Sequence, residues 1–125
     1  MSAGPTSGTL PPGKIAAAIS NAIAGMHREH YGRGAGRVRT VMGDDFVITF
    51  LEDIYTPVDR TLIEAGRFEA VEKTRTAFQE TMRPEFTRIV EESTGRKVVV
   101  FLSQVHVDPD VAVETFMLEP HQNGA

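Results

Sequence analysis

The sequence predicts an α+β domain of order α-β-β-α-α-β-β, in which two hairpins join into one four-stranded, mainly antiparallel sheet with helices packed on it. Three observations predict it. Apolar residues recur at helical spacing in three segments. Four other segments alternate at period two or are rich in valine, and they come in two pairs, each split by an Asp-containing turn. A helix followed by Gly36-Arg37-Val38, an Asp turn and FVITFLE is echoed by a helix followed by Gly95-Arg96-Lys97-Val98, an Asp turn and VAVETFMLE. Two α-β-β units building one sheet would produce that echo.

The bounds agree with one domain. The chain has 125 residues, 41% of them apolar, which is enough for a core without covalent staples. It has no cysteine, so disulfides, thiolate metal sites and a cysteine nucleophile are excluded, and a reducing, cytoplasmic setting fits. No apolar run reaches the roughly 20 residues of a membrane span, so direct membrane insertion is not expected. The Ala-rich stretch Ile15–Ala24 lacks a basic leader and is interrupted by Ser20 and Asn21, so it reads as mature structure.

Residues 1–13 are Ser, Gly, Thr and Pro with almost no bulk, and are expected to be a disordered tail. Residues 14–120 form the domain, and residues 121–125 a short C-terminal tail.

Within the domain, Ile15, Ile19, Ala22, Ile23 and Met26 make one stripe of a helix over Lys14–Tyr31, closed by Gly32. His27, Arg28 and His30 fall in its last turn, where cations suit the helix dipole and a solvated end is expected. Arg37–Met42 and Phe46–Glu52 alternate around Gly43-Asp44-Asp45 and predict a hairpin. Thr56-Pro57-Val58-Asp59 predicts a helix start with a capping box, Val58, Leu62 and Ile63 its buried side and Gly66 its end. From Phe68 to Ser93, Phe68, Val71, Phe78, Met82, Phe86 and Ile89 keep helical phase. Pro84 lies inside this stretch, and the surviving phase favours a kink over two helices. Such a helix would span roughly 39 Å, long enough that part of it could pack against a second copy. Lys97–Val107 and Val111–Leu118 form the second hairpin around Asp108-Pro109-Asp110, with Val98, Val100 and Leu102 opposite Val99, Phe101 and Val105. Both faces of these strands carry apolar side chains, which predicts a sheet covered on both sides by helices or by another subunit.

Charge is unevenly spread. The net is −4, yet Lys14–Arg39 holds five basic residues and one acid, leaving eight basic and sixteen acidic residues elsewhere. The acidic surplus argues against nucleic acid as a partner. The local basic patch centres on Gly32-Arg33-Gly34-Ala35-Gly36-Arg37. Glycine amides with Arg33, Arg37 and Arg39 could hold an anion or a partner, with Gly34 and Gly36 opening the backbone. The loop follows a helix and precedes a strand, the reverse of a dinucleotide fold, and a P-loop lysine is missing. A connector whose glycines allow a sharp turn is the competing reading.

Other chemistry-bearing residues form no complete constellation. His27 and His30 are three apart, not at zinc-protease spacing, and no third ligand is near in sequence. Asp44-Asp45 and Asp108-Pro109-Asp110 are turn formers as well as carboxylate pairs. His106 is a lone strand histidine, and Ser103 has no nucleophile-elbow context. The expectation is a non-enzyme with no cofactor, no metal site and no catalytic residue.

Taken together and in order, YGRG, DDFVITFLE, TPVDRTL, TGRKVV and DPDVAVETFML resemble the MpsC family, a bacterial family once listed as a domain of unknown function. The resemblance covers about residues 14–120. It implies a small soluble component linked to a sodium-translocating, membrane-potential-generating system, other parts of which resemble ion-transport subunits and are tied to bicarbonate uptake. It brings no catalytic or binding residues to carry over. The reading that follows is an accessory or regulatory protein, a homodimer, with membrane transport subunits as partners. The alternatives are an anion or metabolite sensor using Arg33, Arg37 and Arg39, and a small enzyme using His27, His30 or His106.

Overall fold

The computed structural model describes residues 10–120, so the expected C-terminal tail at 121–125 and residues 1–9 of the tail expected at 1–13 lie outside the described residues, while Pro12 and Gly13 of that tail are helical. Helix α1 spans Pro12–Tyr31, beginning two residues before the expected start. Proline suits that position, because its φ is already helical and an N–H there would have no partner. The helix ends at Gly32, whose φ of 77° lets its N–H return to Arg28 O at 2.9 Å. Strands β1 (Arg37–Met42) and β2 (Phe46–Glu52) pair antiparallel, from Arg37 opposite Glu52 to Met42 opposite Val47.

Helix α2 spans Pro57–Glu64 and carries the predicted capping box. Asp59 N–H donates to Thr56 Oγ1 at 3.1 Å, and Thr56 N–H donates to Asp59 Oδ2 at 3.0 Å. Its expected buried side is only partly right: Val58 is 68% exposed and Asp59 is buried in its place.

The long helix expected over Phe68–Ser93 is two helices, α3 (Phe68–Thr81) and α4 (Arg83–Thr94), meeting at Met82. Pro84 has no N–H to give to Glu80, and its ring crowds that carbonyl. Met82 therefore leaves the helical region at φ −90° and ψ 4°, and the ladder resumes with Phe86 N–H on Met82 O at 2.9 Å. Because only one residue lies between the helices, the buried positions stay in phase: Val71, Arg75 and Gln79 on α3, then Phe86, Ile89 and Val90 on α4. No single 39 Å rod exists to reach a second copy. Phe68, expected in the stripe, is exposed.

Strands β3 (Val98–His106) and β4 (Val111–Leu118) form the second hairpin. The sheet order is β1-β2-β4-β3, all neighbours antiparallel, so the second strand of each hairpin lies at the centre. That is the arrangement two α-β-β units related by a twofold would make. A bulge at Val99 shifts the register between Val98 and Val100. Val98 therefore joins the covered side with Phe101, while Val99, Val100 and Leu102 are all exposed, which departs from simple alternation.

The core lies between one sheet face and the helices, with α1 over β1 and α4. Phe86, Phe101 and Phe116 stack through it at 5.6 and 5.0 Å between rings, joined by Ile19, Ile23, Val47, Leu51 and Val90. Each fully buried side chain of this kind contributes about 2–3 kcal/mol. The described helices cover one face of the sheet and leave the other open, so of the cover expected from helices or another subunit the helices supply one side.

Candidate functional site

The Gly/Arg loop turns out to be clasped by the segment after β2. Arg33 Nη1 donates to Tyr55 O at 2.5 Å and to Asp53 O at 3.2 Å, and Nη2 lies 3.7 Å from the Asp53 carboxylate. Gly36 N–H is shared between Glu52 O at 2.9 Å and Asp53 O at 3.1 Å. A Cβ on Gly36 would stand 2.7 Å from Asp53 Oδ2, so glycine is required by close approach. Gly34 faces the Arg28 guanidinium. Arg39 lies over the Phe50 ring, 4.4 Å from its centroid, with Glu52 at 3.9 Å. Of the five residues singled out, only Arg37 is an exposed cation with no ion pair among the described residues. The Gly36 amide and Arg33 of the loop, with Arg39 on β1, are thus spent on local carbonyls and carboxylates.

The histidines separate. His27 is buried, contrary to the solvated helix end expected of it, while its neighbour His30 is exposed against Phe78. Burial, reinforced by the Arg75 charge, lowers the His27 pKa to about 4, so it supplies no cation to the helix end at neutral pH. His106 Nδ1 donates to Pro109 O at 2.9 Å and staples its own turn. Among the described residues no group of three His, Asp or Glu side chains could hold a metal.

Sequence reasoning missed a buried polar network around Arg75, which is only 2% exposed. Its Nη2 donates to Asp59 Oδ2 at 2.6 Å and to Ile54 O at 2.7 Å, and its Nη1 donates to His27 Nε2 at 3.3 Å. The guanidinium carbon lies 4.4 Å from the Tyr31 ring centroid. Burial works against ionising Asp59, but the Thr56 amide and Arg75 outweigh it and hold its pKa below the usual carboxylate value. Asp110, read as a turn former, also accepts from Ile54 N–H at 2.8 Å and Tyr55 N–H at 2.9 Å, fixing the segment that clasps the Gly/Arg loop. The signal for Arg75 was present: it falls in helical phase with Val71 and Phe78.

A second polar feature crosses the sheet under the helices. Thr40, Thr49, Glu114 and Ser103 are successive register partners on β1, β2, β4 and β3. Ser20 Oγ lies 2.7 Å from Thr40 Oγ1, which lies 2.9 Å from Thr49 Oγ1, and Gln79 Nε2 donates to Glu114 Oε2 at 3.0 Å. Burial raises the Glu114 pKa to about 7, against the hydrogen bond from Gln79. The cavity between these groups and Arg75 is about 10 Å³, far below the size of an organic substrate.

The open face of the sheet is the remaining feature. Reading across β1, β2, β4 and β3, one end carries Arg37, Glu52, Val111 and His106, followed by Arg39, Phe50, Val113 and Gln104. The other end carries Val41, Ile48, Thr115 and Leu102, followed by Phe46, Met117 and Val100. That half holds no charge, and Leu102 is 57% and Met117 43% exposed. An apolar area of this continuity is characteristic of a contact surface.

Residues 12–120 match the family model described as "Na+-translocating membrane potential-generating system (MpsC)", in agreement with the motifs read from the sequence. No curated protein and no solved structure matches the chain significantly. Among the described residues no helix is long and apolar enough to cross a membrane.

Proposed function

The chain belongs to the MpsC family of Na+-translocating membrane potential-generating systems, and on that premise we propose that it is a soluble, cytoplasmic accessory component that acts by protein contact. The observation that carries this reading is how the molecule divides its side chains. Its buried ion pair is satisfied internally, with Arg75 held by Asp59 and Ile54 O, and the buried Glu114 is held by Gln79. Its uncharged half-sheet, with Val41, Phe46, Ile48, Val100, Leu102 and Met117, faces outward. A residue poised for chemistry needs access to a reacting atom, whereas an apolar face gains only by being covered. With no described helix suited to crossing lipid, the transport step falls to other subunits.

Crosslinking capture from native membranes tests this. The expected result is enrichment of transport-type subunits of the same system with the tagged chain, and altered membrane potential when the chain is deleted. Recovery of no transport subunit, together with an unchanged potential on deletion, refutes the reading.

A further inference from the structure

We propose that the open sheet face is the interface of a homodimer, two copies packing face to face about a twofold axis that runs along the strands. The inference rests on the reading of this face as a contact surface and names its occupant.

Size argues first. Four strands at about 4.8 Å spacing and six to nine residues long at about 3.3 Å give a sheet of about 19 by 20–30 Å. The flat area is on the order of 450 Å², and side-chain relief brings the accessible surface toward the roughly 800 Å² per partner of a stable interface.

Chemistry argues next. Apart from the Thr115 hydroxyl, this half of the face, with Val41, Phe46, Ile48, Val100, Leu102 and Met117, offers a partner neither charge nor a donor, so a largely apolar partner fits it. Among the described residues the other exposed large apolar side chains are Leu10, Val58 and Phe68, which lie off the sheet, and Val99 at the β3 bulge. Residues 1–9 and 121–125 contain one large apolar side chain, Met1. The same face on a second copy supplies the match.

Symmetry completes the case. A twofold along the strands lays β1 over β3 and β2 over β4 while keeping each row at its own height. Apolar rows then meet apolar rows, and the end with Arg37, Arg39, Glu52, Gln104 and His106 meets its counterpart as a polar rim. Two faces stacked about 10 Å apart would form a sandwich whose inner layer is shared.

Light scattering on the size-exclusion column, over a dilution series, tests the proposal. The full chain is expected at twice its 13.7 kDa mass. Leu102→Asp and Met117→Lys are each expected at the single-chain mass with the far-ultraviolet dichroism of a folded protein, while Val58→Asp, at a more exposed site on α2, keeps the doubled mass. A full chain at single-chain mass throughout, or both face variants at the doubled mass, overturns it. If the full chain is single while Leu102→Asp loses the captured transport subunits, the dimer fails and the contact function stands. If the full chain is a dimer that captures nothing, the dimer stands and the contact function fails.

Discussion

Arg75 Nη2 lies 2.6 Å from Asp59 Oδ2, tying the middle of α3 to the first turn of α2 by an ion pair sealed from solvent. The same Oδ2 caps its own helix by accepting from the Thr56 amide. Arg75→Met would leave Asp59 without its counter-charge and Ile54 O without its donor. The expected loss is about 3–5 kcal/mol, as when one partner of a buried pair is removed. Thr56→Ala, which removes a cap alone, is expected to cost about 1 kcal/mol. Urea denaturation measures both, and an Arg75→Met cost no larger than that of Thr56→Ala contradicts the assignment.

Glu114 is expected to make the protein less stable as pH rises through neutrality. Its pKa is raised from about 4.5 in the unfolded chain to about 7 in the folded one, so between these values the folded state holds a proton that the unfolded state has lost. Stability from this group is therefore full below about pH 4.5, declines as pH rises, and is gone above about 7. Glu114→Gln keeps an acceptor for Gln79 without the charge. Thermal melts should show the variant's advantage growing from pH 5 to pH 8, to on the order of 2–3 kcal/mol. A difference that does not change with pH contradicts this.

His27 acts in the opposite sense. Its folded pKa of about 4 lies below the ordinary 6.5, so the unfolded chain takes up a proton first. Its contribution is complete above about pH 6.5 and is lost as pH falls to about 4. Imidazole carbon shifts followed by NMR are expected to show His27 still neutral at pH 5.5. A midpoint near 6.5 would place the ring in solvent.

Gly36→Ala forces a methyl group against the Asp53 carboxylate, which Arg33 and Arg60 also hold. The expected cost is about 1–3 kcal/mol, as for other overpacked sites. Unfolding measured alongside Arg37→Ala provides the contrast, because Arg37 is exposed and its loss is expected to change stability by less than about 0.5 kcal/mol.

What could be read from the chain was what nearest neighbours decide. The capping box at Thr56 and Asp59, the left-handed stop at Gly32 and both hairpins rest on local conformational preference, and each appears where expected. The break at Met82 did not follow, because the apolar phase runs through Pro84 and phase alone cannot tell a kink from two helices. Arg75 was passed over for a related reason: a charge on an apolar stripe becomes tolerable only when Asp59 and Ile54, from another part of the chain, come to meet it. Glu114 could have been found, since Ala112, Glu114 and Phe116 alternate onto one face. The Gly/Arg loop offered two readings, and only the fold shows that Asp53 and Tyr55 lie close enough to occupy Arg33.

The division between a spent interior and an open face is tested most directly by quantitative crosslinking capture from native membranes with three baits: the unaltered chain, Leu102→Asp, and the double variant His30→Ala/His106→Ala. The unaltered chain and the histidine variant are expected to recover the same transport subunits in equal yield, while Leu102→Asp, folded but no longer paired through this face, is expected not to. Equal recovery by Leu102→Asp, or loss confined to the histidine variant, contradicts it.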